Sequence, residues 1–310
     1  MNAAKRKAEP GPAGLVAQLL PFPKRPYRRI LVVLLLVAGL TGGAYYGWRR
    51  LGPHIVQGPD YILQPEQIQI PPPPPWIRSD IRAETIRDGG LTGLSILDRE
   101  LTVKIARAFS LHTWVENVRR VKKEYPARVI VELVYRRPVA MVEVTMNDHP
   151  GLLPVDMSGI LLPPGDFSAE QARDYLRISL PDAAPAGPVG TPWGDPRVAG
   201  AARIAAVLLD HWKRLGLYRI AVDAGEPAQR ATAEAVFLLK TRRGAQVVWG
   251  APPKTDSSAD VRAALAKVER LVTYVEKHGP LDGLNSDAHI DLTQNAGPTP
   301  RTASRPEGGR

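Results

Sequence analysis

One stretch of the sequence predicts the fold class: WVENVRRVKKEYPARVIVELVYRRPVAMVEV, at residues 114–144. Its first part has the character of a strand that ends at the turn signal Tyr-Pro-Ala of residues 125–127. A second strand follows, in which Val129 and Leu133 share one face, and a third begins after Pro138. The stretch therefore predicts two or three consecutive strands.

The residues before this stretch predict one strand and two helices. Residues 61–70 end in the alternating pattern of a strand, and the five prolines at 71–75 form a stiff spacer after it. One helix is predicted to close on Gly89-Gly90, and the next carries Leu101 and Ile105 on one face. The order strand, two helices, strands predicts a compact α+β module over residues 61–145.

Residues 146–294 predict a second region, a mixed β-sheet with two helices. Asp195 followed by Pro196 is the start signal of one helix, and residues 258–278 form the other, ending at Gly279-Pro280. A last strand is predicted at residues 289–292. Residues 295–310 have the composition of a disordered tail.

A single membrane-spanning helix is predicted at residues 30–48, ILVVLLLVAGLTGGAYYGW. The segment carries no charge, and as a helix it would cross a hydrocarbon core about 30 Å thick. A cleaved signal peptide is the competing interpretation, but its apolar region is shorter and ends in small residues. Here the segment ends in Tyr45, Tyr46 and Trp48, which suit a membrane interface, so we expect an uncleaved anchor followed by a linker at residues 49–60.

The distribution of the net charge of +10 indicates the orientation of the chain in a membrane rather than nucleic-acid binding. Residues 1–29 carry seven cations against one anion, whereas residues 49–295 carry 31 against 29. The positive-inside rule then predicts a basic cytoplasmic tail at residues 1–29 and extracytoplasmic domains after the span. The tail can also bind anionic lipid headgroups, so we expect the lipid membrane, and no nucleic acid, as a partner.

Three glycines form a smooth stripe on the predicted membrane helix. Gly39, Gly43 and Gly47 follow one another at four-residue spacing, which places them on one face and allows another helix to approach closely. The alternative is that glycine is simply common in membrane helices. The stripe predicts a helix-packing site in the membrane.

No pattern in the sequence indicates catalysis. Cysteine is absent, which excludes disulfides, thiolate nucleophiles and Cys-based metal sites. No two of the six histidines lie within four residues of each other, and no nucleophile elbow, phosphate loop or dinucleotide fingerprint occurs. We therefore expect no enzyme activity, no cofactor, no metal and no small-molecule substrate.

Residues 113–140, TWVENVRRVKKEYPARVIVELVYRRPVA, resemble the POTRA module of the bacterial cell-division family FtsQ, also called DivIB. The shared pattern is a Trp-Val, a proline turn and an ending Arg-x-Pro-Val-Ala, here at residues 136–140. Residues 154–160, PVDMSGI, are similar to the Asp-x-x-Gly hairpin that opens the family's β domain, and residues 245–250 and 290–292 resemble its C-terminal half. The resemblance covers residues 30–294.

The resemblance implies a non-catalytic scaffold of the divisome in the cytoplasmic (inner) membrane of a bacterium, which links division proteins during septum formation. Its implied partners are the single-pass coiled-coil proteins FtsB and FtsL, or proteins like them. An edge strand offers unpaired backbone groups to which a partner segment can add as another strand. With the family's binding surface in the C-terminal part, we expect partner contacts from the last strand and from charges on the preceding helix: His289, Ile290, Asp291, Leu292, Thr293, Lys267, Arg270 and Lys277.

Two other functions compete with this one. The same module occurs in membrane-anchored POTRA proteins that assist polypeptide transport or envelope assembly, usually in tandem copies or with a β-barrel. The third hypothesis is an extracytoplasmic enzyme held by an anchor. The last strand, in turn, could be purely structural.

Overall fold

The structure of the protein is a computed structural model that describes residues 25–56, 61–146, 148–222, 235–254, 257–284, 288–293 and 299–302. The chain divides into two compact units between Ile62 and Leu63.

Helix α1, Arg25–Val56, belongs to the first unit. Its segment Ile30–Leu51 is long and apolar enough to cross a membrane, and the predicted span at residues 30–48 lies inside it. The leucine and valine side chains along this segment are exposed. A helix that exposes apolar residues all round is typical of a segment surrounded by lipid.

The second unit begins with a three-stranded sheet and two helices. The order β1-β3-β2 pairs the first two strands in parallel and the last two antiparallel. The predicted turn at residues 125–127 joins β2 to β3 and contains a cis peptide bond before Pro126. The predicted order of strand, two helices and two strands is confirmed, with these bounds: β1 (Ile68–Gln69), α2 (Ile81–Asp88), α3 (Leu101–Ser110), β2 (Val115–Glu124) and β3 (Arg128–Tyr135).

The third strand of the opening stretch belongs to a different sheet from the one predicted. Strand β4, Pro138–Met146, was expected inside the module of residues 61–145, but it pairs with β5 and β6 of a second, larger sheet. Five consecutive residues of β4, from Pro138 to Val142, are buried. Such burial on both faces is typical of an inner strand of a covered sheet, and not of a strand in a half-exposed hairpin.

The larger sheet is mixed and has eight strands in the order β11-β10-β9-β8-β7-β6-β4-β5. Its remaining strands are β5 (His149–Asp156), β6 (Arg177–Ser179), β7 (Leu217–Val222), β8 (Phe237–Thr241), β9 (Gln246–Gly250), β10 (Ala288–Asp291) and β11 (Thr299–Thr302). The two predicted helices are α5 (Pro196–Leu208) and α7 (Ser258–His278), and two short ones, α4 (Ala169–Arg173) and α6 (Trp212–Leu215), accompany them.

Strand β11 corrects the expectation for the C-terminal tail. Residues 295–310 have the composition of a disordered segment, yet Thr299–Thr302 pairs antiparallel with β10. Pairing with a ready-made neighbour strand supplies backbone hydrogen bonds that composition alone does not reveal. The rest of the predicted tail lies outside the described residues.

One face of the larger sheet carries the core. Register places a row of apolar side chains side by side on six adjacent strands, and this row packs with α5 and α7 in one cluster. The row consists of Val142, Ile178, Ile220, Leu239, Val247 and Ile290, each at most 1% exposed. Because side chains alternate along a strand, the neighbouring residues face the opposite side of the sheet.

An ion pair joins the end of the smaller sheet to the larger one. The Arg136 guanidinium lies 2.6 Å from the Asp156 carboxylate, and the two side chains are 15% and 4% exposed. The other carboxylate oxygen of Asp156 accepts hydrogen bonds from the backbone N–H groups of Ser158 and Ile160, which shape the predicted hairpin turn. Nearby, the Trp114 indole donates to Asp166. The two predicted domains therefore pack together within one compact unit.

Replacing Asp156 with alanine would leave Arg136 charged and buried without its partner. We expect Asp156→Ala to lower the free energy of unfolding by about 3–5 kcal/mol, measured by urea unfolding of the full chain in detergent. The control is Asp88→Ala, because the Arg87–Asp88 pair has side chains 72% and 67% exposed; its unfolding midpoint should match the wild type. Equal midpoints for all three proteins would contradict this account.

Candidate functional site

The predicted partner-binding strand is β10, and it has a neighbour on both sides. It pairs in parallel with β9 and antiparallel with β11. The prediction that residues 289–293 form the edge of the sheet is therefore wrong, because β11 occupies that position. The edge that a partner strand can reach is shifted by one strand toward the C-terminus.

The backbone of β11 faces outward at alternate residues. The N–H of Leu292 donates to the carbonyl of Val248 at 3.0 Å. Every second residue of a strand points its backbone N–H and C=O to the same side, so Ile290, two residues before Leu292, also points these groups at β9. In the antiparallel pair, Ile290 and Pro300 then form a non-hydrogen-bonded position. It follows that the carbonyl of Pro300 and both the N–H and the carbonyl of Thr302 face away from the sheet.

Pro300 suits this arrangement. Proline has no N–H to donate, and within sheets it is confined to positions where that group would face away from the ladder, such as an edge strand. Its place in β11, opposite Ile290, is such a position.

The side chains of the five predicted strand residues divide between two roles. Ile290 and Leu292 are each 1% exposed and belong to the apolar core, so they cannot contact a partner directly. His289 and Asp291 are half-buried on the other face, and Thr293 is exposed. The hydroxyl and the N–H of Thr293 both donate to the Asp291 carboxylate, which ends the strand in a local turn.

Two of the three predicted helix cations lie near this strand, and the third does not. The Lys267 ammonium donates to the backbone carbonyl of Trp249 at 2.7 Å and also lies over the indole ring of Trp249. Burial lowers the pKa of Lys267, Arg270 lowers it further, and Asp291 opposes both effects. Lys277 is exposed in the last turn of α7, and no described contact brings it to the other two.

The glycine stripe of α1 is open. A methyl group added at Gly39, Gly43 or Gly47 would meet nothing within 4 Å among the described residues. The stripe therefore leaves room for a second helix, and helix packing there stays a prediction.

The other sheet edges are poor templates for an added strand. Strand β5 contains Pro150 and Pro154 and is bridged by Leu161. Strand β2 is interrupted by two register shifts and carries several lysine and arginine side chains, both of which discourage pairing. Strand β1 has only two residues. Among the described strands, β11 is the edge best suited to strand addition.

Two groups of residues that bear on the site are not predicted from the sequence. Strand β11 has only the β-branched Thr299 and Thr302 as a signal, with a proline between them. The second group is a set of cations on the face of the sheet opposite α5 and α7, here called the basic face; register brings three of them, Arg177, Arg219 and Lys240, into one row. Alternation marks each as the polar side of its own strand, but not as a neighbour of the others.

Neither a scan against protein-family models nor a search of curated proteins finds a match for this chain. Within the described residues, no group of three or more His, Cys, Asp or Glu side chains could hold a metal ion.

Ile290 is a core residue of the sheet, and truncating it tests this assignment. We expect Ile290→Ala to lower the free energy of unfolding by about 2–5 kcal/mol, because it leaves a cavity between the sheet and its helices. Leu265 on α7 is 46% exposed, so Leu265→Ala should change the same quantity by less than about 0.5 kcal/mol. Both free energies are measured by urea unfolding of the full chain in detergent. A stability unchanged by Ile290→Ala would contradict the core assignment and would leave Ile290 as a candidate for partner contact.

Proposed function

We propose that this protein is a non-catalytic, membrane-anchored scaffold of the bacterial divisome, of the FtsQ/DivIB type. The observation that carries the proposal is the outward-facing backbone of β11, at the end of an eight-stranded sheet. A segment of a second division protein adds to this edge as a ninth strand. The element order of residues 68–135 and the apolar N-terminal helix further support it.

The added strand has a defined set of hydrogen-bonding groups. It donates to the carbonyls of Pro300 and Thr302 and accepts from the Thr302 N–H. Each such bond contributes about 0.5–1.5 kcal/mol net, so β11 alone gives weak binding. Additional contacts from Lys267 and Arg270, the predicted α7 cations that lie near β10, then supply further affinity and select a partner with acidic residues.

Membrane anchoring allows a small interface of this kind to be sufficient. We propose that α1 spans the cytoplasmic membrane with its N-terminus in the cytoplasm and the second unit outside. Partners of the FtsB and FtsL type are also single-pass proteins, so both chains are confined to one surface. This confinement raises the effective concentration of the partner segment without any new contact.

Cross-linking in dividing cells tests this function. A photoreactive residue at Thr302 should capture an FtsB-like or FtsL-like division protein, whereas one at Leu153 on β5, the opposite edge, should not. A fluorescent fusion should gather at the division site, and depletion should block septation. Capture of transported or envelope-assembly clients, with normal septation after depletion, would instead support a POTRA transport protein.

A proline at residue 302 separates backbone pairing from side-chain contact. Thr302→Pro removes the outward N–H but none of the bonds to β10, so we expect affinity for the captured division protein to fall about tenfold. Thr302→Ala keeps the N–H and should bind as the wild type does. Titration of the full chain in nanodiscs with the extracytoplasmic segment of that protein measures both; equal Kd values for the two variants would contradict strand addition.

A further inference from the structure

The basic face of the larger sheet, opposite α5 and α7, carries a row of basic side chains, and α4 lines the cleft beside it. Register places Arg177, Arg219 and Lys240 directly opposite one another on β6, β7 and β8. They alternate with the apolar row that packs against α5 and α7, so they lie on the other side of the sheet. Like charges directly opposite each other on neighbouring strands are destabilising, which makes the row unusual in a body of almost zero net charge.

Contacts hold the guanidinium groups of this face in a fixed array. Glu143 accepts a hydrogen bond from Arg177 at 3.2 Å and from Arg219 at 3.0 Å. The ring of Tyr218 lies 4.8 Å from the guanidinium carbon of Arg177, 5.5 Å from that of Arg219 and 4.3 Å from that of Arg242. The array is therefore preorganised, which lowers the entropy cost of binding an anion.

Positive charge exceeds negative charge on this face. Glu143 serves both Arg177 and Arg219, and in the described part of the chain neither Lys240 nor Arg242 forms an ion pair. Four cations are thus matched by one carboxylate. An arginine side chain has five donors, so Arg177 and Arg219 retain free N–H groups after binding Glu143.

A cleft of about 760 Å³ lies beside the array, and its lining indicates which kind of ligand fits. Arg177 and Arg219 line it together with a third arginine, Arg173, and Glu143 is its one acidic residue among the described lining. Its wall is also apolar, with the half-buried side chains of Leu152 and Phe167. A ligand that fits has carboxylates for the arginines and an apolar side chain for the wall.

We propose that this basic face docks an acidic segment of a partner protein, with an apolar side chain anchored in the cleft. Charge complementarity selects the acidic segment. The apolar wall favours a polypeptide over a phosphate-rich polymer or a lipid headgroup, because neither of those fills the cleft with an apolar side chain. The surface is separate from the β11 edge and does not depend on strand addition there.

Photo-cross-linking of the full chain in cells, from a photoreactive residue at Ser179, tests the proposal. Ser179 lies on β6, two residues from Arg177, and also lines the cleft. Mass spectrometry of the captured peptide should identify one protein and map the cross-link to a segment rich in Asp and Glu with an apolar residue. A captured segment without net negative charge, a cross-link to lipid or glycan, or no captured protein would overturn it.

Charge reversal provides the matched control. The double variant Lys240→Glu/Arg242→Glu touches no ion pair of the described fold and should reduce the yield of that cross-link about tenfold. Arg243→Glu changes the neighbouring exposed arginine, which makes no described contact with Tyr218, and should leave the yield unchanged. Exchanging acidic residues of the captured segment for lysine should restore the cross-link to the double variant. Equal yields for all variants would overturn the proposal, and the cross-link from Thr302 reports separately on the β11 edge.

Discussion

The hydrogen-bonding ladder of the eight-stranded sheet is the constraint on which the rest of the structure depends. Every backbone N–H and C=O inside the sheet must find a partner, so unpaired groups remain only at its two ends. The same ladder fixes which side chains lie together. A slip of one residue would move Ile178, Ile220 and Leu239 away from α5 and α7 and place Arg177, Arg219 and Lys240 in the core.

Two surfaces of different chemistry follow from this one ladder. The β11 edge offers backbone groups, which bind an extended segment with little dependence on its sequence. The basic face offers guanidinium and ammonium groups, which would select acidic residues. Lys240 on β8 lies three strand spacings from β11, about 14 Å, so the two proposals require different segments of a partner, or different partners, at the two surfaces. The proposed scaffold function requires such separated sites.

Much of this fold could be predicted because its elements carry local signals. The uncharged run at residues 30–48, the proline turn at 125–127 and the cap at Asp195-Pro196 each act within a few residues of themselves. Strand partners are different, since they depend on residues far away in the chain. The sequence therefore predicts β4 within the first module although β4 pairs in the larger sheet, and it does not predict β11 because Pro300 and its neighbours have a tail-like composition. The basic row also depends on strand pairing, because three strands that are separated in sequence contribute one residue each.

Amide hydrogen exchange at β11 tests the central claim most directly. The full chain in nanodiscs would be followed by NMR, alone and with the extracytoplasmic segment of the division protein captured from Thr302. The Thr302 amide, which faces outward, should exchange rapidly in the free protein and become protected in the complex. The amides of Thr299 and Arg301 point at β10 and should be protected in both. A Thr302 amide that still exchanges rapidly when the complex is saturated would contradict strand addition at this edge.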